Sequence, residues 1–383
     1  MTPFDFHPRT RIVFGPGKVD ALGELAGELG ARRVLVVSDP GIVAAGHTER
    51  GLAALHRAGI EAHLFDGVAE NPTTENVEAG LVLARRYDPE LLVGLGGGSS
   101  MDCTKGINFL FTNGGRIQDY WGMGKATRPM LPMIAVPTTA GTGSETQSFA
   151  LISDAQTHVK MACGDKKASF RVALLDPMLT VTQPRGVTAL TGIDAIAHAL
   201  ETYVTRSRNP ASLAFSREAW LLLGENFARV LDEPNDLPAR SGMQLGASFA
   251  GLAIENSMLG AAHALANPLT TNYQIVHGQA VGLMLPHVIR FNGAEVNSWY
   301  HDLLECTAGG NGFPAAETGA AGLADFVAEL ARHAELPSRL SECGVDANRL
   351  PQLAAEAAKQ WTGGFNPRRV DTAELLALYQ AAY

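Results

Sequence analysis

The chain has 383 residues, 46% of them hydrophobic and 18% charged, enough for two domains that each bury a core. Its net charge of −9, with no local run of Lys or Arg, argues against a nucleic-acid or anionic-membrane partner. No apolar run approaches the ~18–20 residues of a bilayer span. The N-terminus lacks a signal pattern, and Cys103, Cys163, Cys306 and Cys343 show no C-x-x-C spacing, so a cytoplasmic protein with reduced thiols is expected.

Arg11–Phe14 reads as a short strand running into Gly15-Pro16-Gly17, followed by a helical pattern through Leu29. Arg33–Ser38 is a β-branched run bounded by charge and Pro40, the mark of a strand buried on both faces. A helix is expected around 47–58, a strand at 62–65, a helix from Thr73 to Arg86 and a strand at 91–95. Asn71-Pro72-Thr73-Thr74 supplies that second helix with a cap and a proline near its first turn. Strands alternating with helices of this length predict βαβ units and a Rossmann-like, mostly parallel sheet.

Directly after the fourth strand comes Gly96-Gly97-Gly98-Ser99-Ser100-Met101-Asp102, with Lys105 beyond it. Glycines at a strand–helix junction let backbone N–H groups approach a pyrophosphate at the positive end of a helix. The pattern is not G-x-G-x-x-G, and a tight turn explains it equally well in isolation. A second loop rich in small and hydroxyl residues, Pro137 to Glu145, follows a strand at 133–136. Two such loops at the carboxyl ends of strands favour a nucleotide over two coincidental turns. Asp39, after the second strand, suits an adenosine ribose and would repel a 2′-phosphate, favouring NAD; a turn-initiating role before Pro40 is the alternative.

Strand signals stop near Leu175-Asp176-Pro177 and Gln183-Pro184, dividing the chain into an α/β domain, 1–182, and an all-helical domain, 183–383. Helices are expected over 186–204, 211–231, 238–264, 278–291, 298–309, 316–335, 350–361 and 371–382. In the first of them Asp194 and His198 stand four apart and so share a face. His263, near the end of the long 238–264 helix, and His277, at the start of the next, complete an N/O donor set for iron(II) or zinc. A carboxylate and an imidazole at that spacing are more commonly a plain surface pair, and the other two histidines reach them only through tertiary folding.

The ordered stretches Gly96–Ser99 with Asp102 and Lys105, Pro137–Thr142, Leu175–Pro177, Gly192–His198, His263 with Pro268-Leu269, His277 through His287, and Asn366-Pro367-Arg368 resemble the iron-containing (group III) alcohol dehydrogenases over essentially the whole chain. The resemblance implies an NAD-binding α/β domain joined to a helical metal-binding domain, the architecture shared with dehydroquinate synthase. It implies metal ligation by Asp194, His198, His263 and His277, and a pyrophosphate loop at Gly97, Gly98 and Ser99, with Asp102 in the same motif. Thr138, Thr139 and Thr142 would line the nicotinamide side, Lys160 would meet a cofactor ribose, and Asp39 would select NAD. The implied reaction is reversible hydride transfer between a small primary alcohol and NAD, by a homodimer holding Fe2+ or Zn2+.

One position departs from the family. Many relatives carry a further histidine four residues after the first, and here that place is Asn267, which cannot titrate near neutral pH. His287 offers itself as a replacement, with a structural role the simpler reading. Phe149 and Ile254 are candidate walls of a substrate pocket alongside Asn267, or ordinary core residues. Within the superfamily the alternative is an NAD-using lyase like dehydroquinate synthase, but Ile254–Leu285 contains no Lys or Arg to hold a sugar phosphate. A non-catalytic nucleotide-binding protein is the remaining class, and the full ligand set argues against it.

Overall fold

The computed structural model describes residues 3–157, 159–307 and 317–383. The chain forms two compact units, one spanning His7–Gln183 and the other Pro184–Tyr383 together with the N-terminal residues through Phe6. Those first residues were expected with the α/β part. The ring of Phe6 instead lies 5.8 Å from that of Phe215, which is 6.0 Å from Phe249, so an aromatic cluster holds them to the helical unit.

The α/β unit opens with β1 (Arg11–Phe14), α1 (Leu22–Glu28), β2 (Arg33–Val37), α2 (Pro40–Ala44), α3 (His47–Arg57) and β3 (Glu61–Phe65). It continues with α4 (Thr74–Tyr87), β4 (Leu91–Gly96), α5 (Gly98–Asn113), β5 (Gly122–Met123), β6 (Met133–Pro137), β7 (Phe149–Ser153), β8 (Lys160–Gly164) and β9 (Val172–Leu175). Six strands make a parallel sheet in the order β1-β9-β6-β4-β2-β3. Its side chains alternate between two cores: Leu35, Val37, Leu92, Met133 and Ala135 on one face, Val34, Val36, Leu91, Val93, Ile134 and Val136 on the other. Burial on both faces is why these strands are β-branched and apolar throughout, each such side chain contributing about 1.5–3 kcal/mol.

Chain direction across this sheet reverses between its central strands. From β2 the chain moves outward to β3, whereas from β4 it moves the other way to β6. The carboxyl ends of β2 and β4 therefore flank the switch point, where open sheets of this type bind ligands. The small sheet β5-β8-β7 was not anticipated, nor was β9 as a strand. Short edge segments carry too few alternating residues to announce themselves.

The helical unit comprises α6 (Arg185–Val204), α7 (Pro210–Asp232), α8 (Leu237–Glu255), α9 (Ala261–Tyr273), α10 (His277–Thr307), α11 (Gly319–His333), α12 (Leu350–Ala357) and α13 (Thr372–Ala381). The expected 238–264 helix is two, broken over 256–260, so His263 lies in the first turn of α9 and not at the end of a long helix. Conversely, the helices expected at 278–291 and 298–309 run together as α10 across a kink at Val296. The end of the latter and the start of the helix expected at 316–335 fall on residues 308–316, outside the described residues. Among the described residues no helix is long and apolar enough to cross a membrane.

Candidate functional site

Within the helical unit the donor set assembles around α6. Asp194 and His198 project from one face of that buried helix, one turn apart. His277 reaches them because α10 begins against α6 at very close range. A Cβ at Gly278 would sit 2.0 Å from the Leu190 carbonyl oxygen, and one at Gly282 would sit 2.9 Å from Ile193. Only glycine permits that approach. His263 comes from the first turn of α9.

Asp194 is the hub. Its Oδ1 lies 3.4 Å from His263 Nε2, 3.6 Å from His198 Nε2 and 3.8 Å from His277 Nε2. The donor atoms of Asp194, His263 and His277 all fall within 4.8 Å of one another. His198 joins through Asp194, its ring stacked on that of His263 at 4.9 Å between centroids. Asp194 Oδ1 and His263 Nε2 are buried and make no hydrogen bond. Leaving such atoms unpaired costs about 1–3 kcal/mol each, a cost that a shared cation removes. Four converging N and O donors with two orphaned lone pairs fit a divalent transition-metal ion.

The electrostatics agree. Burial by itself would raise the carboxyl of Asp194, yet His198, His263 and His277 hold it well below the usual range, so it stays an anion. Burial likewise opposes a charged His263, but Glu201 and Asp194 push its pKa up to about 9. A cation binding there displaces that proton. Glu201 escaped the sequence reading: its Oε2 lies 2.6 Å from His263 Nδ1. The signal existed, since positions 194, 198 and 201 are spaced to share one helical face.

Asn267 stands one turn beyond His263 on α9, and its amide donates to Gln360 Oε1 at 3.0 Å. Ile254, at the end of α8, is buried. His287 is half-buried on α10, where burial and Arg290 lower its pKa.

In the α/β unit the two small-residue loops pack on each other. Gly96 O accepts from Thr138 N at 2.9 Å, and a Cβ at Gly98 would lie 2.7 Å from Thr142 Cγ2. Gly97 caps α5, a 16-residue helix whose first-turn N–H groups have no intrahelical partners. Thr138 Oγ1 is buried and makes no hydrogen bond, and Thr139 and Thr142 are half-buried beside it in the chain. A tight glycine turn, a helix N-terminus and an orphaned hydroxyl fit a dinucleotide phosphate and its neighbouring groups.

Other expected residues surround this cradle. Asp39, at the end of β2, caps α2 through Ile42 N at 3.1 Å and accepts from Ser100 Oγ at 3.2 Å, so it sits at the switch point and serves as a turn residue too. Asn71, with φ 52°, donates through its backbone N to Ser99 Oγ at 3.3 Å and accepts from Lys160 Nζ at 3.4 Å. It links those two positions, and the cap expected within Asn71–Thr74 is Thr73. Asp102 is turned inward: its oxygens accept from Ser144 Oγ at 2.7 Å and Leu151 N at 3.1 Å, and Lys105 Nζ is 3.8 Å away. That bonding braces the second loop from behind. Phe149 opens β7, its carbonyl accepting from Lys105 Nζ at 2.6 Å.

Comparison with known proteins matches both units. Residues 8–177 match the iron-containing alcohol dehydrogenase family, and residues 188–383 match the C-terminal region of the Fe-containing alcohol dehydrogenase family. The chain is 33% identical to 1,3-propanediol dehydrogenase of Klebsiella pneumoniae, covering 99% of each chain. It is 33% identical to the NAD-dependent methanol dehydrogenase of Bacillus methanolicus, covering 96% of each. A crystal structure of 1,3-propanediol oxidoreductase superposes with a TM-score of 0.95 at 32% identity, over 100% of both chains. Fold, donor set and relatives agree: the chain belongs to the iron-containing alcohol dehydrogenase family and is an NAD-dependent alcohol oxidoreductase.

Proposed function

We propose that the chain interconverts small primary alcohols and their aldehydes, using NAD and a divalent ion held by Asp194, His198, His263 and His277. The observation that carries this reading is the approach of three imidazole nitrogens to one carboxylate oxygen within 3.8 Å. When bound, the ion supplies a Lewis acid that lowers the pKa of an alcohol and polarises an aldehyde carbonyl. Four protein ligands suit iron(II), which takes five or six, better than zinc, which prefers four.

On the cofactor side, Gly97, Gly98 and Ser99 offer backbone N–H groups to the pyrophosphate. Thr138, Thr139 and Thr142 contact the nicotinamide half, Lys160 a ribose, and Asp39 the adenosine ribose in preference to a 2′-phosphate. Asp102, in the same motif, holds the second loop in place through Ser144 and Leu151. The name of the Bacillus methanolicus relative, NAD-dependent, supports the choice of NAD.

The substrate is small and neutral on this reading. Ile254–Leu285, which includes two of the four ligands, has no Lys or Arg, which weighs against the phosphorylated sugar of a lyase. Methanol and 1,3-propanediol in the relatives' names are alcohols of this kind. Phe149, Ile254 and Asn267 are our candidate substrate contacts. Asn267 can orient a hydroxyl but cannot carry its proton near neutral pH. We extend the proposal to a cytoplasmic homodimer on the family resemblance and the free thiols.

Asp194→Ala and His277→Ala test the ligand set together. Each should lose bound metal and turnover while binding NADH as the wild type does. Retention of both metal and turnover by either variant contradicts the assignment.

A further inference from the structure

We infer that Glu201 is a positioning residue for His263, fixing the tautomer and ring orientation that present the Nε2 lone pair to the cation. The inference rests on the metal-site reading above and concerns a residue outside its ligand set. Glu201 lies on α6, three residues beyond His198, and is 4% exposed. Its Oε2 is 2.6 Å from His263 Nδ1, and its Oε1 accepts from Ala262 N at 2.7 Å.

The second contact decides the chemistry of the first. Helix α9 is capped by Gly260, which has no side chain to satisfy the first N–H groups. Those donors are met from elsewhere: Ala261 N by Asn366 Oδ1 at 3.3 Å, and Ala262 N by Glu201 Oε1. An ionised carboxylate can only accept. With one oxygen fixed on a backbone donor, the other faces the imidazole at 2.6 Å and requires a proton on Nδ1. In the neutral ring that a cation requires, Nε2 at the opposite edge then carries the lone pair, and it is the buried nitrogen without a hydrogen bond, 3.4 Å from Asp194 Oδ1. Carboxylate, imidazole and cation site thus form one line, an arrangement that raises ligand basicity and is typically worth 10–100-fold in metal affinity.

Glu201→Gln reverses the logic with little change in shape. If the amide oxygen keeps Ala262 N, the NH2 group faces Nδ1, which must accept, and the proton moves to Nε2. If the amide flips, its NH2 group meets the Ala262 N–H. Neither arrangement leaves both His263 and α9 as they are in the wild type.

The test uses the full chain loaded with zinc, with affinity measured by chelator competition and the imidazole protons followed in 15N-histidine-labelled protein. The expected result is a zinc affinity about 10–100-fold lower in Glu201→Gln. A solvent-protected His263 Nδ1–H resonance should be present in the wild type and lost in the variant. Asn366→Ala should loosen the same helix start yet leave that resonance in place. Wild-type zinc affinity in Glu201→Gln overturns the inference, as does absence of the protected resonance from the zinc-loaded wild type, a result that needs no variant to fold. Loss of the resonance in Asn366→Ala also overturns it, by reducing Glu201 to a helix cap. Asp194→Ala separates the two levels. If it binds zinc like the wild type, the ligand reading fails and takes the inference with it. If only Glu201→Gln binds normally, the inference alone fails.

Discussion

Replacing Gly98 by Ala probes the close contact between the two loops proposed to hold the cofactor. The new Cβ would lie 2.7 Å from Thr142 Cγ2, 2.8 Å from Oγ1 and 3.1 Å from Cβ of the same residue. Rotating the threonine cannot relieve the last of these, so the loop or the start of α5 must withdraw by roughly 0.5–1 Å to reach ordinary carbon contact. Overpacking of this kind costs about 1–3 kcal/mol. Alanine in place of a helical glycine returns up to about 1 kcal/mol. The fold therefore survives, with a loss of about 3 kcal/mol at most. NADH binding suffers more, because a hydrogen bond to an anionic phosphate is worth about 1.5–3 kcal/mol. Losing one weakens binding by about 10–100-fold. Gly97→Ala is the reference, since its Cβ would meet Thr139 only at 3.4 and 3.6 Å and the backbone there, with φ −79°, accepts any residue. Thermal unfolding and fluorescence titration with NADH read the two effects separately. Gly97→Ala should unfold like the wild type. A Gly98→Ala protein that binds NADH within twofold of wild type would refute the reasoning.

Two further outcomes follow from named side chains. Asp39→Ser keeps a cap for Ile42 N but removes the charge, so stability should change little while the kcat/KM ratio of NADPH to NADH rises about tenfold or more, equivalent to about 1.4 kcal/mol; an unchanged ratio rules out Asp39 as the selector. Burial pushes the Cys163 thiol up to about 12 and Cys103 higher still, so at pH 8 the thiolate of Cys163 is only about one part in ten thousand. Iodoacetamide followed by mass spectrometry should mark Cys306 and Cys343, both half-buried, and spare the other two in the native protein. Modification of Cys163 at a similar rate would show that the core around β8 opens.

What the sequence made legible is what local chemistry dictates. Val34 to Val37 read as a doubly buried strand because a short β-branched and leucine run bounded by Arg33 and Pro40 is typical of one. Asp194 and His198 were readable because a helix alone puts them on one face. The break between α8 and α9 was not, because Asn256, Ser257 and Gly260 interrupt a small-residue pattern that looks continuous by periodicity, and the N–H groups of Ala261 and Ala262 take their caps from Asn366 and Glu201, 105 and 61 positions away in the chain. The inward bonds of Asp102 were hidden for the same reason: its partners Ser144 and Leu151 are more than 40 residues distant in the chain. The links of Asn71 to Ser99 and Lys160, 28 and 89 positions away in the chain, had no local signal either. Long-range hydrogen bonds decide all three cases.

The most direct test of the account is anaerobic NADH oxidation by protein stripped of metal and then reloaded with iron(II) or zinc, offered a panel of short aldehydes. The account predicts no turnover in the stripped protein, recovery in proportion to metal up to one ion per chain, and much weaker use of NADPH. Turnover that persists without metal, or full reloading of the site that restores none with any aldehyde, would contradict it.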